Sequence, residues 1–321
     1  MPTIRKRISA LLKGGSPIDL IFASMTAVAA FTVCLIMLGV FVSLVRESSL
    51  SISKFGAFSF MFSQEWDPVK EMFGAAASIF GTAVTTVLAL FFAVPIGIGI
   101  AVFVTEIAPD SLKGTIGAAI ELLAAIPSIV YGMWGLFTLA PLMGRTVEPF
   151  IQRIFGGIPV LGHLVSGSAT GIDMFTSSVV LSIMVVPFIA SVSRDSFNQT
   201  PSILKESAYG VGATKWEVIR DVVVPYSKRG VFGGAVLSLG RALGETMAVA
   251  FVLGNSKRIS LSLFDAASTI TVTLANEFTE ADTDMYLSAL YHLALILFTL
   301  SFITLAVAKF FISRKTGEHD R

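Results

Sequence analysis

Hydrophobic residues fall in long runs along the chain, and short polar segments separate these runs. A helix needs about 20 apolar residues to cross the hydrocarbon core of a bilayer. Six runs suit such helices, at 20–45, 80–105, 115–140, 175–192, 231–254 and 285–311. Most of them exceed the length needed, which predicts tilted or kinked helices, with Pro95 and Pro127 as kink positions. The pattern therefore predicts an all-α membrane protein with six transmembrane helices.

Composition supports the same class of protein. Of the 321 residues, 54% are hydrophobic and only 14% are charged, and the mean hydropathy is +0.80. A soluble globular domain carries about 25% charged residues. The composition excludes an ordinary soluble domain and favours a multi-pass membrane protein.

The distribution of basic residues predicts the orientation. Cytoplasmic segments carry the excess of Lys and Arg. With six spans, fifteen basic residues lie on the side of the two termini and seven on the opposite side. We therefore expect cytoplasmic N- and C-termini, a basic N-terminal segment at 1–17, a first helix and external loop at 18–74, a main membrane domain at 75–312 and a tail at 313–321.

The longest charged segment between two runs, 201–229, has the pattern of two short helices joined by a turn. Gly210 and Gly212 permit a sharp turn, because glycine adopts positive φ at little cost. Thr214 and Glu217 have the spacing of a capping box at the start of the second helix, which we expect to end before Pro225. The segment is then a cytoplasmic bump, although short amphipathic helices alone also suit an ordinary loop.

Within this segment, the sequence E-S-A, three residues, Gly, nine residues and V-x-V-P resembles the EAA loop of ABC-importer permeases. The resemblance implies that the loop couples the membrane domain to cytoplasmic ATPases. It departs from the family pattern in small ways, with Ser207 as the second motif residue and two valines before the proline. The coupling positions that it implies are Glu206, Ser207, Ala208, Tyr209, Gly212, Trp216 and Pro225.

Arg241 is the most unusual residue of the predicted membrane helices. It lies about ten residues into the fifth run, roughly 15 Å deep at 1.5 Å per residue. A charge there is costly and needs protein, water or a partner charge, and Glu245, four residues later on a helix, is placed to pair with it. Two interpretations stay open: a self-neutralised bridge on a face of small packing residues, or a translocation path in which Arg241 binds a tetrahedral oxyanion.

The segment 241–249, R-A-L-G-E-T-M-A-V, resembles the permeases of bacterial and archaeal phosphate ABC importers. The segments 105–109, 122–136 and 274–278 extend the resemblance, which is closer to the PstC type than to its homologue PstA. It implies a type I, MetI-like importer fold at 75–312 that moves inorganic phosphate across the cell inner (cytoplasmic) membrane by alternating access. It also implies Arg241 and Glu245 as the transport pair, a PstA-like second permease, a PstB-like ATPase dimer and a PstS-like external phosphate-binding protein.

No segment has the G-x-x-x-x-G-K-[ST] pattern of a phosphate-binding loop, which agrees with ATP and Mg²⁺ being used by a partner ATPase. We expect no cofactor, no metal site and no enzyme activity in this chain. His163 lies outside any ligand cluster, His292 is predicted to be a packing residue, and Glu277, Glu280, Asp282 and Asp284 are predicted to form a solvated loop face. Alternative functions are import of sulfate or molybdate, and secondary transport without an ATPase.

Overall fold

A computed structural model describes residues 17–314, so most of the predicted segments 1–17 and 313–321 lie outside the described residues. The described part of the chain is built from helices. They are α1 Pro17–Glu47, α2 Ser49–Phe55, α3 Ala57–Phe62, α4 Ala76–Val102, α5 Asp110–Ala124, α6 Ser128–Trp134, α7 Ala140–Leu142, α8 Glu148–Phe155, α9 Pro159–Leu164, α10 Met174–Asn198, α11 Ser202–Gly210, α12 Lys215–Glu217, α13 Val224–Leu243, α14 Met247–Ala250, α15 Ile270–Glu277 and α16 Asp284–Arg314.

Four stretches are single helices long and apolar enough to cross a membrane: Ile18–Glu47, Ala76–Ile107, Met174–Asn198 and Asp284–Phe310. The pair Asp110–Ala124 and Ser128–Phe155 also qualifies, but it is bent by 87° at a short break. Pro127 lies in this break, and the proline ring prevents the helix from continuing through it. The predicted kink at Pro127 is therefore confirmed. The count of six spans and the cytoplasmic termini stay predictions.

The fifth predicted span, 231–254, is not one continuous helix. Helix α13 ends at Leu243, and the four-residue helix α14 begins only at Met247. Gly244, Glu245 and Thr246 form a break between them. The continuous face of small packing residues that the sequence predicts for this helix therefore ends at residue 243.

Helices α4 and α10 lie at the centre of the packing. Ala89 and Ala93 of α4 share a buried cluster with Val185 and Ile189 of α10. In α10, 61% of the most apolar 18-residue window is buried, against 0% in α1. Helix α1 thus lies at the periphery, with its apolar side chains available to lipid.

Helices α2 and α3 fasten the end of α1 to α16. The Oγ of Ser51 lies 3.0 Å from Nδ1 of His292, and the Phe60 ring stacks on the imidazole with 4.2 Å between centroids. The predicted role of His292 in packing is confirmed, since it is buried and bonded between helices.

Glu148 and Asp173 form a fully buried carboxyl pair where α8 and α10 meet. Glu148 accepts hydrogen bonds from Oγ1 of Thr176 at 3.1 Å and from N of Gly171 at 3.2 Å. Asp173 caps α10 by accepting from N of Thr176 at 2.8 Å, while its Oδ2 has no donor among the described residues. Both carboxyl groups bond to Thr176, so they lie in the same buried site. Two negative charges so close together repel each other, which favours one shared proton.

We predict that this pair makes the stability of the fold depend on pH. Burial raises the pKa of Asp173 from 3.8 to about 7, and the negative charge of Glu148 contributes to this increase. The folded state then holds a proton that the unfolded state releases, so stability is full below about pH 4 and is lost as pH rises towards 7. Asp173→Asn keeps the capping oxygen and removes the titration.

Thermal unfolding of the detergent-purified chain between pH 4 and 8 measures this effect. We expect the midpoint to fall with pH in the natural chain and to stay nearly constant over this window in Asp173→Asn. Asp282→Asn, on an exposed loop, is the matched control and should keep the natural slope. Equal slopes in all three proteins would contradict the shared proton.

Candidate functional site

The segment 201–229 forms the predicted bump of two helices and a turn. Helix α11 ends at Gly210, and Gly212 supplies the turn with a φ of +92°. The N–H of Thr214 donates to Oε2 of Glu217 at 2.7 Å, and the N–H of Glu217 donates to Oγ1 of Thr214 at 3.4 Å. The predicted capping box is confirmed, and the bond from the Thr214 N–H lowers the pKa of the Glu217 carboxyl.

The second helix does not end before Pro225, and that prediction is wrong. A wider π-helical turn, Val218–Val223, follows α12 and leads directly into α13, where Pro225 occupies the first turn. A proline is tolerated there, because its missing N–H would have no partner in the first turn of a helix. The bump is therefore continuous with the helix that leads to Arg241.

The tip of the bump is apolar and exposed. Val211 is 87% and Trp216 is 64% exposed, and Ile203 and Tyr209 also face outward. The charged residue Glu206 and the proline Pro225 are exposed as well. An apolar centre with a charged rim is the composition of a protein-binding surface.

The base of the bump is anchored to the ends of α4 and α10. Val218 and Val223 are buried with Ala101 and Phe197, and Ala208 packs against this cluster. Nζ of Lys205 lies 2.6 Å from Oε1 of Glu106, in the π-helical turn Phe103–Ile107 that follows α4. The Oγ of Ser207 donates to the Ile203 carbonyl at 2.6 Å, within α11.

Arg241 and Glu245 are close in sequence but do not form the predicted ion pair. Among the described residues, no carboxylate lies within 4 Å of the Arg241 guanidinium, which is exposed. It lies in the last turn of α13. The pairing fails because the helix ends between the two residues.

Glu245 instead completes the helix break. Its Oε1 accepts from the N–H of Ala248 at 3.2 Å, which caps α14. Its carbonyl accepts from Oγ1 of Thr271 at 2.7 Å. Helix α6 packs closely against the start of α14, since a Cβ on Gly132 would lie 2.5 Å from the Met247 carbonyl oxygen.

A polar cluster at the other end of the helices is not predicted by the sequence. The expected solvated acidic face includes Glu277, but this residue is buried and bonded, whereas Glu280, Asp282 and Asp284 are exposed. The partners of Glu277 are Lys257, Trp66 and Tyr286. Burial lowers the pKa of Lys257, and the charge of Glu277 opposes that shift. No local pattern separates Glu277 from its acidic neighbours, because two of its partners are distant in sequence.

Within residues 17–314, no group of three or more His, Cys, Asp or Glu side chains is arranged to hold a metal ion.

Several known proteins resemble this chain in sequence. The phosphate transport system permease protein PstC of Mesorhizobium japonicum is 51% identical, over 98% of this chain and 96% of that protein. Those of Pasteurella multocida and Haemophilus influenzae are 50% and 47% identical, over 95% and 92% of this chain and 94% of each relative.

Solved structures resemble the fold. A bacterial alginate ABC transporter in complex with an alginate pentasaccharide-bound periplasmic protein has a TM-score of 0.61 at 14% identity, over 93% of this chain and 96% of that one. The MetNI methionine ABC transporter in an inward-facing form has a TM-score of 0.56 at 18% identity, over 78% and 99% of the two chains. These likenesses confirm the MetI-like importer permease fold.

The family described as binding-protein-dependent transport system inner membrane component matches residues 93–317, more than half of the chain. This family consists of transport permeases, which confirms a multi-pass inner-membrane transport subunit and not an enzyme. The chain belongs to this family of binding-protein-dependent transport permeases, and within it to the PstC type.

Proposed function

We propose that this chain is the permease subunit of an ATP-driven importer that moves inorganic phosphate across the cytoplasmic membrane by alternating access. Relatives at 47–51% identity are named phosphate transport system permeases. The structural observation that supports phosphate as the substrate is the exposure of the Arg241 guanidinium at a break in a helix. No carboxylate lies within ion-pair distance of it in the described residues.

The surroundings of Arg241 suit a transient anion site. A charge within a membrane costs at least about 2.5–3.5 kcal/mol, so such residues mark pathways and paired sites. The planar guanidinium offers several donors that match a tetrahedral oxyanion. Because the Glu245 side chain is bonded to the Ala248 N–H, the Arg241 guanidinium stays available for the anion. The negative charge of the nearby Glu245 carboxylate prevents the anion from binding too tightly.

The bump at 201–229 is the proposed contact with the ATPase. Its exposed residues Val211 and Trp216 would enter a groove on a cytoplasmic ATPase, as apolar helices do in protein grooves. ATP binding would close an ATPase dimer of PstB type, and the moving bump would reorient the helices. ATP and Mg²⁺ belong to that dimer, and we propose that this chain binds no cofactor.

Two further partners complete the proposed machine. A PstA-like permease would cover the face on which Arg241 is exposed, and a PstS-like binding protein would deliver phosphate from outside. Sulfate and molybdate have the same tetrahedral shape, so competition for radiolabelled phosphate uptake tests the choice of anion. Co-purification with an ATPase separates the importer from a secondary transporter.

We predict that Gly212→Ala weakens coupling while Gly210→Ala does not. A Cβ at either glycine would enter open space, with no clash within 4 Å among the described residues, but only Gly212 has a positive φ. A side chain in that conformation costs roughly 1–2 kcal/mol, which distorts the turn that presents Val211. Co-purification of the ATPase should fall about tenfold with Gly212→Ala, with normal membrane insertion. Equal ATPase binding by both variants would contradict this role of the turn.

We predict that Arg241→Ala lowers phosphate uptake by about 10- to 100-fold and leaves ATPase binding intact. This decrease corresponds to the free energy of one hydrogen bond to a charged group. Arg241→Lys should recover only part, because it keeps the charge but not the paired donors. Exchanging Arg241 and Glu245 should not restore uptake, since the two side chains are not paired. Uptake into proteoliposomes measures all three, with exposed Arg153→Ala as the control. Normal uptake in Arg241→Ala would refute the pathway.

A further inference from the structure

A buried ion pair, Lys257–Glu277, joins segments that are far apart in sequence. Nζ of Lys257 lies 2.8 Å from Oε1 of Glu277, and the side chains are only 18% and 11% exposed. Oε2 of Glu277 accepts from Nε1 of Trp66 at 2.5 Å and from the hydroxyl of Tyr286 at 2.9 Å. Trp66 precedes α4, Lys257 follows α14, Glu277 ends α15 and Tyr286 lies in the first turn of α16.

The pair is also bonded on its cationic side. Lys257 donates to Oγ1 of Thr273 at 2.7 Å and to Oγ of Ser268 at 3.4 Å, and its ammonium lies 5.4 Å from the centre of the Trp66 ring. A buried pair is retained only with good geometry and satisfied remaining groups. Here both carboxylate oxygens and the ammonium have partners, so the pair fixes the position of α15.

Helix α15 in turn contacts the helix break. Thr271, near its start, donates to the carbonyl of Glu245. The N–H of Ile270 donates to Oγ1 of Thr82 in α4 at 2.9 Å, and Thr273 lies 3.0 Å from the Ser78 hydroxyl. A short rigid helix therefore connects the Lys257–Glu277 pair to the break beside Arg241.

We propose that Lys257 and Glu277 are positioning residues for transport: they hold α15 so that Thr271 fixes the helix break that carries Glu245 and presents Arg241. This inference rests on the proposed function, because the break matters only if Arg241 lines the path. Lys257 and Glu277 touch no substrate in this scheme and act through Thr271.

A second lysine–glutamate pair provides a matched control. Lys54 and Glu71 are 3.6 Å apart, and their side chains are 40% and 41% exposed. An exposed pair of this kind contributes little, typically about 0–1 kcal/mol. Within residues 17–314, neither residue bonds to α15 or to Glu277, so Glu71→Gln, which matches Glu277→Gln, should leave uptake unchanged.

The experiment measures phosphate uptake by the reconstituted complex carrying Glu277→Gln, Thr271→Val or both. Glu277→Gln keeps an acceptor for Trp66 and Tyr286 but removes the charge, and Thr271→Val removes only the hydroxyl. We expect each single variant to lower uptake at least fivefold at natural complex yield and ATPase binding. The double variant should be no worse than the poorer single variant, since residues that act in one chain of contacts are not additive.

The results separate a positioning role from general stability. If the two defects multiply, the residues act independently and the proposal fails. Normal uptake in Thr271→Val also overturns it, even if Glu277→Gln fails to assemble. Failure of the proposed function is distinguishable, because the unmodified complex would then show no ATP-dependent phosphate uptake at all.

Discussion

The break between α13 and α14 is the constraint on which the arrangement of this protein depends. Backbone polar groups inside a bilayer have no water to bond, so irregular backbone is tolerated only where protein or a water-filled path surrounds it. Here the Glu245 side chain serves the Ala248 N–H, and Thr271 serves the Glu245 carbonyl. The break therefore needs α15, which supplies Thr271, and the close approach of α6 to Met247. The loop 251–269 and the Lys257–Glu277 pair follow from that need, because they hold α15 in place.

The sequence predicts the long helices well and the broken one poorly. Runs such as 80–105 and 175–192 coincide with α4 and α10, since hydrophobic length alone selects a membrane helix. Pro127 marks its bend because proline excludes a helical continuation. By contrast, 231–254 contains no internal proline, and its apolar pattern continues through Gly244. The break after Leu243 is held by contacts of Thr271 with the Glu245 carbonyl and of Gly132 with Met247, which local sequence does not encode.

The same distinction applies to the functional residues. The turn at Gly212 and the box of Thr214 and Glu217 are local, and spacing predicts them correctly. The pairing of Arg241 with Glu245 assumes a continuous helix and is therefore wrong. The environment of Glu277 is not predictable from its neighbours, because it comes from Trp66 and Lys257, which lie far away in the chain. Local chemistry is thus predictable here, and chemistry that depends on tertiary contacts is not.

Helix α4 relates the two ends of the protein to each other. Near its start, Ser78 and Thr82 bond to α15, and near its end Ala101 packs under the bump at 201–229. Its 27 residues span about 40 Å at 1.5 Å per residue. Partly buried ion pairs lie at both ends, Lys257–Glu277 beside α15 and Lys205–Glu106 under the bump. A packed helix moves as a unit, because interiors are dense and do not deform continuously. A displacement of the bump must therefore either shift α4 against α15 or break the Lys205–Glu106 pair. The first alternative connects the bump with the break beside Arg241.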